Sequence, residues 1–306
     1  MRIPIVFSTD HNFVMQTGVC ILSLLKSART SLYDIYILIN NDVSDEDKLA
    51  LSKQVGLFPG HKINFIEIGD IFKGAFEIRG ISNASYSRLL IPWLMPNHDK
   101  VFYCDVDIIF KIDLNDIYAE DIGSNLFGAV PAIGTIYEES FYKYVKRLGF
   151  AKGNYFNAGV LIVNCKLQRE LELKDKILIE SKKKYIYQDQ DIINIIAKNR
   201  IKRIPSQYNV TPLFYELYNS NADEVKDFYG NQEDKHIILS GKDCVIHYAG
   251  PKPWNSFTYA WREWWDVYSQ SMFYNPELEL KITNSCIHPH YTWRNIARII
   301  KHKLLK

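Results

Sequence analysis

The sequence predicts an α/β protein: a doubly wound, Rossmann-like, mostly parallel sheet with a smaller helical extension at its C-terminus. Three observations carry this expectation. Apolar, β-branched runs alternate with helical patterns over the first two-thirds of a 306-residue chain. Asp10, Asp105 and Asp107 fall near strand ends, where open α/β sheets take their ligands. No internal repeat or low-complexity linker interrupts the alternation.

Pro4–Ser8 reads as the first strand, followed by a polar loop and a helix over roughly Phe13–Lys26. Tyr33–Asn40, rich in Ile and Leu, is the second strand. Ser44 then caps a helix whose first turn holds Asp45, Glu46 and Asp47, acids that complement the helix dipole. Lys62–Ile68 is a third strand, and Ser85–Ile91 a helix that Pro92 should break or kink. The apolar run Val101–Phe110 is the next strand, followed by strands near Leu126–Val130 and Gly159–Asn164. Beyond Tyr208 the pattern turns irregular and Tyr-rich, as in an inserted or flanking subdomain. Residues 1–270 are expected to form one catalytic-type domain and 271–306 a basic amphipathic tail. In that tail Trp293, Ile296, Ala297, Ile300 and Leu304 share helical spacing, and no acid occurs in 291–306.

Composition narrows the function. A net charge of +2 argues against a general nucleic-acid binder. The five cysteines are odd in number, widely spaced and without a Cys-x-x-Cys, which fits buried thiols in a reducing compartment. The N-terminus turns polar at Ser8-Thr9-Asp10, too early for a signal peptide, and no apolar run reaches the about 18 residues of a membrane span. A cytoplasmic location is expected. The cationic tail also fits a peripheral position on the inner face of the plasma membrane, or a helix packed on its own domain.

Asp105 and Asp107 lie in one of the most apolar stretches of the chain, where unpaired carboxylates are costly. Placed two apart on a strand they would share a side and converge on a hard divalent cation. His247, closing the strand-like Val245-Ile246-His247, would complete a mixed nitrogen–oxygen site suited to Mn²⁺ or Mg²⁺. Lys252, between Pro251 and Pro253, is placed to meet a phosphate, or is a solvated loop lysine. The first strand ends in Asp10-His11-Asn12, where the Asp10 carboxylate accepts from a nucleobase or ribose, or Asp10 or Asn12 caps the next helix. Asn157-Ala158-Gly159 opens an apolar strand, as a turn or as a place of close ligand approach. In Gln188-Asp189-Gln190-Asp191, Asp191 suits a helix start, whereas Asp189 and Gln190 have no such local duty. Tyr215 and Tyr218 can stack on sugars or pack internally.

These segments, with Ser87-Arg88-Leu89-Leu90-Ile91-Pro92, Tyr155-Phe156-Asn157-Ala158-Gly159 and His247-Tyr248-Ala249-Gly250-Pro251-Lys252-Pro253-Trp254, resemble glycosyltransferase family 8 from about Ile3 to Trp254. The resemblance implies a GT-A fold and a retaining hexosyltransferase that moves galactose or glucose from a UDP-sugar to a saccharide or lipid-linked saccharide, as in lipopolysaccharide or capsule synthesis. It implies Mn²⁺, with Mg²⁺ as the alternative, on Asp105, Asp107 and His247. Asp10 and Asn12 would contact the nucleoside. Arg88, Asn157, Ala158, Gly159 and Asp189 would hold the donor sugar, and Gly250 and Lys252 the diphosphate. Gln190 would lie beneath the anomeric carbon. Where members often carry an acid after the strand near Val130, this chain has Pro131-Ala132. The Gly250–Lys252 spacing is also one residue tighter than in some members. Two other classes stay open on residues alone: a metal-dependent UDP-sugar hydrolase or phosphoesterase, and a non-catalytic saccharide-binding protein.

Overall fold

The computed structural model describes residues 1–69, 71–72, 83–230 and 242–287. Strands β1 (Arg2–Thr9), β2 (Leu32–Ile39), β3 (Lys62–Glu67), β4 (Lys100–Cys104), β5 (Ile108–Phe110), β6 (Phe127–Pro131), β7 (Phe156–Asn164), β8 (Ile201–Arg203) and β9 (Val245–His247) follow in that order. Seven of them form the central sheet in the order β3-β2-β1-β4-β7-β6-β8, and β5 pairs with β9 in a separate ribbon. All strands of the central sheet run the same way except β7, which is antiparallel to both β4 and β6.

The period-2 alternation of strand side chains explains the layering. Ile3, Ile5 and Phe7 of β1, with Phe102 and Cys104 of β4 and Val160 and Ile162 of β7, enter one apolar core. Val6, Val101, Tyr103, Leu161 and Val163, the alternate positions, enter another on the opposite face. Helix Val14–Ser27 covers the first face through Cys20, Ile21, Leu24 and Leu25. Helix Gln188–Ile196 covers the second through Ile192, Ile193 and Ile196. Buried on both faces, the strands read as near-continuous apolar runs.

Ser44 caps helix Asp45–Gly56, its hydroxyl accepting from Asp47 N–H while the Asp47 carboxylate reaches back. Pro92 behaves differently from expectation. It does not break a helix but sits in the first turn of Ile91–Leu94, directly after the 3₁₀ helix Asn83–Leu90. A first-turn N–H needs no intrahelical acceptor, so proline fits there. The Tyr-rich region after Tyr208 is folded as well. Helices Pro212–Ser220, Ala222–Tyr229 and Trp261–Tyr268 enclose a third core containing Phe214, Tyr218, Tyr248, Trp254, Trp264 and Tyr268. Tyr218 is 2% exposed, a packing residue, and Tyr215 stacks on Tyr259 at 3.7 Å between ring centroids.

Just past residue 270 the chain is held on this body: Met272 N–H donates to Gln54 Oε1, and the Phe273 ring lies against Gly18. The basic stretch 291–306 lies outside the described residues, as does the side chain of Cys286. Cys20, Cys104, Cys165 and Cys244 are buried free thiols. Among the described residues no helix is long and apolar enough to cross a membrane.

One carboxylate fastens the turn before β2. Asp113 accepts from the backbone N–H groups of Arg29, Thr30 and Ser31 and from the Tyr33 and Ser31 hydroxyls. Burial raises its pKa, but these donors outweigh that and hold it well below the ordinary carboxylate range. A depressed folded pKa means that the stabilisation is present at neutral pH and lost as pH falls below about 4. Asp113→Ala should therefore cost about 2 kcal/mol in urea unfolding at pH 7. The cost should shrink as the pH is lowered toward about 3; a variant as stable as the parent at pH 7 would contradict this account.

Candidate active site

The sheet's C-terminal edge opens into a cleft of about 600 Å³. Its walls come from the end of β1, the 3₁₀ helix Asn83–Leu90, the bend after β4, the start of β7, the start of helix Gln188–Ile196 and the loop after β9. Asp10, Arg88, Asp105, Asp107, Asn157, Ala158, Gly159, Asp189, Gln190, His247, Gly250 and Lys252 all line it. Asn12 does not; it is exposed, and its backbone N–H donates to Asp10 Oδ1 at 2.9 Å. Asp10 thus both caps and faces the cleft.

The two acids converge by a route other than the one the strand pattern suggests. The run Val101–Phe110 is not one strand: the chain leaves the central sheet after Cys104, bends through Asp105-Val106-Asp107 and enters β5. A continuous buried strand would have forced carboxylates into an apolar layer; the bend turns them into the cleft instead. Asp105 N–H is tied to Gly159 O at 2.9 Å, and the β5–β9 register sets Ile108 opposite His247. His247 is thereby carried beside Asp107.

The resulting cluster is tight. Ligand atoms of Asp105, Asp107 and His247 lie within 4.8 Å of one another. His247 Nε2 is 3.3 Å from Asp107 Oδ1 and 3.8 Å from Asp105 Oδ2. His247 Nδ1 is 2.8 Å from Asn209 Oδ1, and Nε2 is the ring nitrogen turned toward the acids. Asp107 Oδ1 is buried without a hydrogen-bond partner. Acceptor atoms gathered around one point, one of them orphaned, fit a divalent cation bound by oxygen and imidazole nitrogen.

Charges around the cluster are matched. Lys252 pairs with Asp107 Oδ2 and donates to Tyr248 O at 2.8 Å. Burial pushes the Asp107 carboxyl up, but the Lys252 ammonium and the adjacent His247 ring together outweigh it and hold the group far below the ordinary range. Arg88, 9% exposed, bridges Asp105 Oδ1 at 2.7 Å and Asp189 Oδ2 at 3.0 Å, and donates to Ala158 O at 2.9 Å. For Asp189 burial prevails over Arg88, and its pKa rises to about 6. Gln190 Oε1 accepts from Ala158 N–H at 3.2 Å and Asn157 Nδ2 at 3.3 Å. Asp191 is a structural acceptor, taking bonds from the Tyr144 and Tyr155 hydroxyls and from Tyr187 N–H.

Two glycines are required by geometry. Gly250 has φ of +124°, strained for a residue with a side chain. At Gly159 a Cβ would come 2.9 Å from Asp105 Oδ2 and closer still to His247 Cε1. Gly159→Ala should displace one of these two side chains and lower the affinity of the cluster for a divalent cation by about tenfold or more in titration calorimetry. Unchanged affinity in that variant would show that the cluster tolerates the methyl group.

Sequence reasoning missed Tyr103, whose hydroxyl donates to Asp105 Oδ1 at 2.8 Å and whose ring lies 4.7 Å from the Arg88 guanidinium. It also missed Asn209, a buried asparagine just after the 3₁₀ helix Ser206–Tyr208. Tyr103 had a local signal, its place two residues before Asp105 in the sequence; Asn209 had none.

A sheet of this order with an Asp-Asp-His cluster at its edge defines a glycosyltransferase of the GT-A fold, and solved structures agree. The galactosyltransferase LgtC, in complex with donor and acceptor sugar analogs, aligns with a TM-score of 0.76 at 26% identity, covering 91% of this chain and all of that one. The bifunctional glycosyltransferase WbbM aligns at 0.72 and 25% identity, over 94% of this chain and 52% of that one. The Glycosyl transferase family 8 pattern matches residues 4–258, and the chain belongs to that family. Relatives include a lipopolysaccharide 1,2-glucosyltransferase of Escherichia coli K12, 27% identical over 90% of this chain and 77% of that protein. A lipopolysaccharide 1,3-galactosyltransferase of Salmonella typhimurium is 26% identical over 89% and 77%.

Proposed function

We propose that this glycosyltransferase moves a hexose, galactose or glucose, from a UDP-sugar to a hydroxyl of a surface-glycan acceptor, with retention of configuration. The observation that carries the reading is the orphaned, buried Asp107 Oδ1 facing His247 Nε2, with Lys252 beside it in the cleft. Asp105, Asp107 and His247 would hold Mn²⁺, or Mg²⁺, which when bound supplies charge stabilisation for a departing diphosphate. Lys252 offers a second cation to the same diphosphate, and Gly250 lets the loop backbone approach it. Asp10 faces the nucleoside end. Arg88, Asn157, Ala158, Gly159 and Asp189 form the donor-sugar wall.

Gln190, its amide oriented by two donors, sits beside this wall and stabilises the positive charge developing at the anomeric carbon. An amide is a poor nucleophile, so no lasting glycosyl adduct on Gln190 is expected; mass spectrometry of trapped enzyme that found one would reverse this role. A second opening of about 270 Å³ shares Asn157, Tyr187 and Gln190 with the main cleft and includes Pro131, Ala132 and Glu138. The acceptor saccharide would enter there.

The test is a panel of nucleotide sugars with Mn²⁺, scored for slow hydrolysis without acceptor and for its acceleration by saccharides. Selective, EDTA-sensitive hydrolysis of one UDP-hexose is expected. Metal-independent turnover, or no nucleotide-sugar turnover at all, would overturn the assignment. A cytoplasmic protein held peripherally at an anionic membrane through 291–306 is part of the same proposal. Flotation with anionic liposomes, with and without residues 288–306, decides it.

A further inference from the structure

A single line of side-chain hydrogen bonds runs from His247 to Asp191, and every donor in it points the same way. His247 Nδ1 meets Asn209 Oδ1 at 2.8 Å, and Asn209 Nδ2 donates to Asn157 Oδ1 at 2.8 Å. Asn157 Nδ2 donates to Gln190 Oε1 at 3.3 Å, Gln190 Nε2 to the Tyr155 hydroxyl at 3.2 Å, and Tyr155 to Asp191 Oδ1 at 2.5 Å. The direction is imposed by the backbone. Gly159 N–H donates to Asn157 Oδ1 at 2.9 Å, and Ala158 N–H to Gln190 Oε1 at 3.2 Å. A peptide N–H cannot become an acceptor, so both amides are fixed in orientation.

Among the described residues, no backbone group imposes an orientation on the side-chain amide of Asn209; it inherits one. With Asn157 Oδ1 committed as an acceptor, Asn209 must turn its NH₂ toward it and its oxygen toward His247. Nδ1 must then carry a proton, and Nε2 is the ring nitrogen turned toward Asp105 and Asp107, where a metal ion would take it. We propose that Asn209 is a positioning residue that transmits the polarity of the 157–159 backbone to His247, selecting the tautomer that can bind a metal. The line also joins the metal ligand to Gln190 through Asn157, whose orientation the backbone sets. Such outer partners of metal-bound histidines fix ring orientation and tautomer. The proposal rests on the metal reading of the cluster.

The deciding measurement needs no metal. Long-range ¹H–¹⁵N correlation spectra of the metal-free full chain, labelled at histidine nitrogen, report which ring nitrogens of each histidine carry a proton. His247→Gln assigns the His247 signals. The parent should show His247 protonated at Nδ1. Asn209→Ala removes the acceptor and should convert this to an Nε2-protonated or mixed form. Asn209→Asp restores an acceptor at Nδ1 and should return the parental tautomer.

A second readout is Mn²⁺ binding in the presence of UDP, followed by electron paramagnetic resonance. Asn209→Ala should weaken it about 10- to 100-fold, whereas Asn209→Asp should remain within about threefold of the parent. A parent His247 without a proton at Nδ1, or the parental protonation pattern in Asn209→Ala, overturns the inference. If Asn209→Ala fails to fold by near-ultraviolet circular dichroism, a non-parental tautomer in Asn209→Asp overturns it equally. A parent with the expected tautomer that binds no Mn²⁺ would leave this inference standing and refute the proposed function.

Discussion

Asp107→Ala is expected to lower UDP-sugar turnover by at least about 10³-fold and to abolish the metal-dependent part of UDP affinity. The size follows from the double use of this carboxylate. Its Oδ1 faces His247 Nε2 in the cluster, and its Oδ2 holds Lys252 at the cleft. Removal therefore weakens both positive groups that would meet the diphosphate. The fold should survive, because the Lys252 side chain is 29% exposed and can be hydrated once unpaired. Calorimetric titration with UDP, with and without Mn²⁺, separates the two losses. Parental affinity and turnover in a folded Asp107→Ala protein would eliminate the metal assignment.

Arg88→Met is expected to destabilise the protein by about 3–5 kcal/mol, the cost of stripping the partner from buried charge. Asp105 and Asp189 both depend on this guanidinium, and Ala158 O loses a donor. The same change alters pH dependence, with a definite sign. Asp189 already has its pKa raised to about 6 with Arg88 in place. Loss of the cation raises it further, so the carboxyl becomes protonated at neutral pH. Any step that needs ionised Asp189 then moves to higher pH, and the acid limb of the hydrolysis profile shifts alkaline. Arg88→Lys should recover little, since one ammonium cannot span both carboxylates and the Ala158 carbonyl. Urea unfolding and a pH–rate profile test the two parts separately; an unshifted acid limb in Arg88→Met would remove Asp189 from the chemistry.

Much of the scaffold was legible from the sequence because both sheet faces are covered. Strands such as β1 and β2 then become unbroken apolar runs that stand out between polar loops. Ser44 and its acids marked a helix start for the same local reason. The sheet order and the reversal of β7 were not legible, since pairing partners lie far apart in sequence. Asp105 and Asp107 drew notice as acids in an apolar frame, but the frame was misread as one strand when it is two, divided by the bend that holds them. Pro92 shows the limit of a residue-type rule: the same ring stops a helix interior and starts a first turn. Asn209 was invisible because its importance comes from a bridge between Val210 and Ile246, which no local pattern encodes.

The ribbon formed by β5 and β9 also bears on the birth of the protein. It joins Asp107 to Lys252 across a separation of 145 residues, so the acids leave the ribosome long before the histidine and lysine that complete the cluster. Strands β1 to β8 can assemble on the nascent chain while the acids wait beside Arg88. Pairing of β9 is the event of highest contact order in the site and is set to come late. A chain released early would thus be a sheet whose Asp-Asp-His cluster lacks its histidine.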